Sequence, residues 1–189
     1  MSIYRKVGKR IFDVGVAGLG LVLLSPIMLL TALAIKLDDG GPVLFKQQRI
    51  GRRGVPFTIL KFRSMPVHTK DIPKASANLP ITRVGRVIRR LNIDELPQLV
   101  NVLKGDMSIV GPRPALPVQT ELLSQRSRNG AMACRPGLTG LAQVNSYDGM
   151  SETEKARWDG LYASSVSPWA DLQIILKTFA YLTKPPPVY

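Results

Sequence analysis

Two adjacent carboxylates, Asp94 and Glu95, close a dense run of arginines formed by Arg83, Arg86, Arg89 and Arg90. An ionised carboxylate among fixed cations has two uses. It can cap free N–H groups at the start of a helix and complement the helix dipole. It can also serve as a nucleophile beside a site that attracts phosphate. The stretch alone leaves both open. Leu96, Leu99, Val100 and Leu103 fall at i, i+3, i+4 and i+7, which predicts a helix with one buried stripe ending near Gly105. Pro97 fits only the first turn of such a helix, so Asp94 and Glu95 are expected at its cap and first position. There the dipole and the neighbouring arginines would keep Asp94 ionised.

Other basic residues stand where they could meet an anion. Prolines on both sides hold Arg113 extended in Gly111-Pro112-Arg113-Pro114, ready for two-pronged contact with a carboxylate or phosphate. A rigid turn is the simpler account. Lys61 and Arg63, with Lys46 and Arg49, crowd a hairpin whose charges would by default be solvated. Arg135 opens a glycine-rich run to Val144 in which a ligand can approach the backbone closely, although no Walker or Rossmann spacing is present. Magnesium needs only one or two carboxylates beside substrate phosphates, and Asp94 can supply one. His68 has no partners at zinc-ligand spacing, and the single Cys134 excludes an internal disulfide.

Elements must position these groups. The 189 residues suit one functional unit, and a net charge of +13 implies a polyanionic neighbour. No charge interrupts Val14 to Ile35, a stretch long enough to span a bilayer and too long for a cleavable signal. Ser25-Pro26 sits at its midpoint, where Pro26 breaks the hydrogen-bond ladder and the Ser25 hydroxyl can cover a freed carbonyl. Both flanks are basic, so a straight span would place one of them outside. A Pro-kinked spanning helix stays open beside a re-entrant helix-break-helix over residues 1–38 that keeps both basic flanks cytosolic; either leads into a cytosolic domain over 39–189.

Along that domain the pattern predicts a hairpin from Pro42 to Arg63, a loop from Met65 to Pro80 and an amphipathic helix from Arg83 to Leu91. In that helix Val84, Val87, Ile88 and Leu91 share one face. A short strand at 106–110 follows, then helices over 115–128 and 151–163. A last helix carries the stripe Leu172, Ile175, Leu176 and Phe179, with Trp169 and Tyr181 near its ends, and the tail from Lys184 is extended. The fold class expected is mixed α/β, mostly helical with a small β-hairpin, and a monotopic membrane protein is one of the two placements that the N-terminal helix leaves open.

Taken in order, these segments resemble the bacterial sugar transferases, the monotopic polyprenol-phosphate phosphoglycosyl transferases. The resemblance runs nearly end to end: Ser25-Pro26, Lys61-Phe62-Arg63-Ser64-Met65, Asp94 to Leu99, Asn101 to Ser108, Gly111 to Pro114, and Arg135 to Val144. It implies transfer of a sugar-1-phosphate from a UDP-sugar to a polyprenol phosphate, with Mg²⁺, at the cytoplasmic face of the bacterial inner membrane. The chain length resembles the family's minimal catalytic unit. Asp94 would be the nucleophile, Glu95 would position or deprotonate the acceptor, and Arg89, Arg113, Arg135, Lys61 and Arg63 would hold phosphates. Tyr147 stands where many members carry arginine, which puts one nucleotide or sugar contact in doubt. Asp159, Tyr162 and Asp171 also match the family; by position Asp171 would cap the last helix.

Two rival classes remain: a membrane-tethered binder of acidic lipid or nucleic acid, and a scaffold in which the acidic pair only caps. Net charge favours the first, but no nucleic-acid module or aromatic stacking surface is present, so nucleic acid is not an expected partner. Homodimer formation is left open.

Overall fold

The computed structural model describes residues 3–67, 80–145 and 150–182. The order is α1 (Lys9–Asp39), β1 (Leu44–Ile50), β2 (Pro56–Phe62), α2 (Arg83–Arg90), α3 (Gln98–Lys104), β3 (Ser108–Val110), α4 (Thr120–Arg128), β4 (Gly137–Thr139), α5 (Leu141–Val144), α6 (Glu152–Ser165) and α7 (Pro168–Leu182). The fold is thus mostly helical, with an antiparallel hairpin β1–β2 and a two-stranded parallel pair β3–β4. The loop expected at 65–80, His68, Tyr147 and the tail lie largely or wholly outside the described residues, as does the side chain of Tyr181.

Helix α1 is long and apolar enough to cross a membrane. It continues through Pro26, so the expected break does not divide it into two helices. Pro26 has no N–H to give the carbonyl of Val22, and the Ser25 hydroxyl donates to that carbonyl at 2.8 Å. The orphaned acceptor is therefore satisfied locally, and the helix survives. Gly40 ends it in the left-handed conformation at φ 70°, returning its N–H to Lys36 O.

One stripe of α1, containing Asp13, Ala17, Thr31 and Ile35, is buried. Leu19, Leu23, Leu30, Leu33 and Leu37 are exposed on the rest of its surface. Near its start, Arg10 donates to the carbonyls of Val102 and Leu103 at 2.6 and 2.7 Å, closing the C-terminus of α3. Asp13 accepts from Ser108 Oγ and Ile109 N, both at 3.0 Å. At the far end, Asp39 pairs with the Arg63 guanidinium. Both ends of α1 therefore pack against the same polypeptide body.

Helix α3 lies between α1 and the hairpin, and its burial differs from the expected stripe. Gln98, Leu99, Asn101 and Val102 are buried, whereas Leu103 is exposed. Packing on two sides makes two faces internal, so one stripe does not describe it. Asn101 uses its burial for bonding: Oδ1 accepts from Leu60 N at 3.0 Å, and Nδ2 donates to Thr58 O at 2.8 Å. That bond pair clips β2 to α3.

The glycine-rich run serves backbone packing rather than ligand approach. A Cβ at Gly137 would lie 2.1 Å from Gly111 N, and one at Gly140 would lie 2.1 Å from Gly111 O. Main chain meets main chain there, which lets β4 lie beside β3 in the register Ser108↔Gly137 and Val110↔Thr139.

Helix α4 begins at Thr120 rather than at Ala115, because the Ala115 carbonyl is taken by Ile50 N at 2.9 Å. Helix α6 starts as expected, with a reciprocal cap between Ser151 and Glu154. In α7 the expected stripe faces outward: Trp169 and Phe179 are each 65% exposed, and Leu172 and Leu176 are exposed with them. Ile174 and Asp171 face inward instead. Asp171 is not a cap. It accepts from Tyr4 Oη at 2.6 Å and Tyr162 Oη at 2.8 Å, and pairs with Lys9 at 3.0 Å, while Ser167 Oγ accepts from Ala170 N. Helix α2 is likewise split. Ile88 is buried, whereas Val87 and Leu91 are exposed beside Arg83, Arg86 and Arg90.

Candidate active site

Asp94 and Glu95 occupy a single 3₁₀ turn, Ile93–Glu95, one turn ahead of α3. Asn92 sets that turn at φ 54°, a left-handed conformation that asparagine tolerates better than most residues. Helix α3 starts only at Gln98, after Pro97, so the acids are not at its cap or first position. Glu95 turns its carboxylate to side chains: Lys61 Nζ at 2.7 Å and Arg113 Nη2 at 3.0 Å.

The two acids are held in opposite electrostatic states. Burial pushes Glu95 upward, but Arg113 and Lys61 outweigh it and hold the carboxyl at about 2. Glu95 is thus held as an anion. Its geometry is that of an anchor for two cations. Asp94 is raised above its ordinary value by burial; Lys61 and Arg89 oppose that rise and Glu95 adds to it. To the expected cations the structure adds a desolvation that works against them. Desolvation leaves a more basic carboxylate, with cations nearby to receive a phosphate.

Each neighbour is placed by a separate element. Lys61 projects from β2 opposite Phe45. Arg113 follows β3, and its carbonyl accepts from Arg126 Nη1 at 3.0 Å; Arg126 itself is buried against Asp159 at 2.6 Å. Arg89, in the last turn of α2, donates through Nε to Ser64 Oγ at 2.8 Å. Two of the expected phosphate ligands, Arg63 and Arg135, do not line the cleft at Glu95 and have other partners. Arg63 is occupied by Asp39 and by the Pro42 and Met65 carbonyls, anchoring the end of α1. Arg135 donates to Gly105 O at 2.9 Å, with Arg10 and Arg52 as its charged neighbours.

A small cleft at Glu95 is lined by Arg49, Ile59, Lys61, Gln98 and Arg113 among others. Arg49 and Gln98 were missing from the expected site. Arg49 donates to Gln47 Oε1 at 2.6 Å and to Pro114 O at 3.1 Å. Its signal was the hairpin's period of two: Gln47↔Ile59 and Arg49↔Phe57 in register put Arg49 and Lys61 on one face. Gln98 carried no comparable signal.

Among the described residues there is no group of three or more His, Cys, Asp or Glu able to enclose a metal ion. With Glu95 committed to two cations, the donor set fits a magnesium ion held by Asp94 and mainly by substrate phosphate oxygens.

The family model for bacterial sugar transferases matches residues 4–185. A UDP-glucose:undecaprenyl-phosphate glucose-1-phosphate transferase from Caulobacter vibrioides is 46% identical over 180 residues, 90% of this chain and 67% of its own length. The Escherichia coli protein of the same name is 41% identical, covering 94% of this chain and 40% of itself. The Bacillus subtilis sugar transferase EpsL is 43% identical, covering 90% of this chain and 84% of itself.

Proposed function

The chain belongs to the bacterial sugar transferase family, and on that premise we propose that it moves a sugar-1-phosphate from a UDP-sugar to undecaprenyl phosphate. The observation that carries this reading is the contrast within one turn: a raised Asp94 beside a Glu95 that clamps Lys61 and Arg113. In the first half-reaction an Asp94 oxygen attacks the β-phosphorus, the bond from that phosphorus to the bridging oxygen breaks, and UMP leaves with the electron pair. In the second, a phosphate oxygen of the acceptor attacks the phosphoryl-aspartate, and Asp94 leaves as a free carboxylate. The products are UMP and the polyprenyl diphosphosugar. Lys61, Arg113 and Arg89 spread the charge that builds on the equatorial oxygens. Magnesium, when bound, neutralises donor phosphate charge, with Asp94 as its protein ligand. Glu95 positions Lys61 and Arg113 rather than moving a proton.

Membrane association follows from the apolar outer surface of α1 together with family membership. Apolar residues of α7 and α2 are also exposed, and the arginines beside Val87 and Leu91 suit anionic headgroups. We place the whole body on the cytoplasmic face. Single cysteines replacing Ser2 and Lys46, in a Cys134→Ala background, should both be labelled only from the cytosolic side. Labelling of one from outside would restore the straight span.

The activity is tested with membranes carrying the chain, undecaprenyl phosphate and a panel of radiolabelled UDP-sugars. UMP release that requires one of the sugars is the expected result; none with any sugar would defeat the reading.

A further inference from the structure

Gln98 is 2% exposed, and its Nε2 is a buried donor without a hydrogen-bond partner. More than nine in ten buried polar groups are paired, so a bare amide nitrogen in the wall of a cleft calls for an acceptor. The other polar groups lining that wall are mostly cations. Arg49, Lys61 and Arg113 face one carboxylate, Glu95, so the cleft carries an excess of positive charge. Burial first, and then the charge of Arg113, lower the affinity of Arg49 for its proton, and Glu95 opposes them. An anion between the two arginines would relieve their repulsion.

We propose that Gln98 and Arg49 form, with Arg113, a single seat for a phosphate monoester that is used twice per turnover. The phosphate of departing UMP leaves it, and the phosphate of the incoming polyprenol enters it. This rests on the function proposed above and on the geometry of displacement at phosphorus. Asp94 enters in line with the leaving UMP oxygen. In the second half-reaction Asp94 is itself the leaving group, so the acceptor oxygen must arrive from the side that UMP vacated. Two phosphate monoesters thus need one place, and the cleft beside Glu95 offers it the unpartnered Gln98 amide and an excess of positive charge. The uridine and the lipid chain are free to lie elsewhere.

The test uses full-length protein carrying preformed adduct, mixed with polyprenol phosphate and increasing UMP, with initial formation of lipid product as the readout. In wild type, UMP should inhibit competitively with polyprenol phosphate. Gln98→Leu should raise the UMP inhibition constant and the polyprenol-phosphate KM by the same factor, about tenfold, with kcat changed less than about threefold. Arg49→Met should do the same. Gln98→Glu keeps the side-chain shape but offers an anion where a donor stood, and should weaken both ligands by about 100-fold. Unequal shifts for the two ligands, an unchanged Gln98→Glu protein, a fall in kcat alone, or non-competitive inhibition would overturn the shared seat. If wild type forms no adduct and releases no UMP, it is the transferase reading that fails instead.

Discussion

Replacing Asp94 with asparagine should lower UMP release by at least about 10³-fold while leaving the melting temperature near that of wild type. The amide keeps the size of the carboxylate but cannot attack phosphorus or leave from it. The desolvation that raises the Asp94 carboxyl is removed in the neutral variant, so no loss of stability is expected from charge burial. Incubation with donor alone, followed by intact mass measurement, should show wild type heavier by one sugar phosphate and the variant unmodified. A variant that turns over normally would leave Asp94 as a structural residue only. Wild type that makes product without ever carrying the adduct would exclude the covalent route.

Lys61→Met should produce the second large loss, about 10²-fold in kcat, together with a shifted pH profile. Lys61 opposes the rise of Asp94 and helps hold Glu95 at about 2. Removing it takes an attraction away from both ionised carboxylates, so both should titrate at higher pH. The active form of Asp94 is the anion. Activity is therefore lost as pH falls through its folded value, which lies above the ordinary 3.8. The acid limb of the wild-type profile should move upward in the variant, and the ratio of rates at about pH 6 to about pH 8 should drop. A variant slower by the same factor at every pH would show that Lys61 contacts substrate without tuning Asp94. For Glu95 the sign is the reverse: its depressed value adds stability above its ordinary 4.5, and that stability disappears as pH falls toward about 2.

The acidic pair and the family it marks were legible because consecutive residues carry them: Asp94-Glu95-Leu96-Pro97-Gln98 needs no long-range contact to be recognised. Local chemistry also located the hairpin, the start of α6 and the end of α3 at Gly105. The Ser25–Val22 bond repairs the damage done by Pro26 within the same turn, which is why the helix was recognisable although its continuity was not.

Roles that depend on which surface meets which were beyond the sequence. Arg63 and Arg135 are basic and near the motifs, and no local pattern announces that chain folding pairs one with Asp39 and sets the Nε of the other on the Gly105 carbonyl. The apolar stripe of α7 has the spacing of a core helix, but the contacts made by Asp171 and Ile174 turn it outward. Periodicity identifies which residues share a face, and it carries no information about what that face will meet. Likewise, the types of Asp94 and Glu95 were set by the sequence. Only the tertiary structure decided that one is raised by burial and the other clamped between Lys61 and Arg113, because proton affinity depends on through-space charge and lost water.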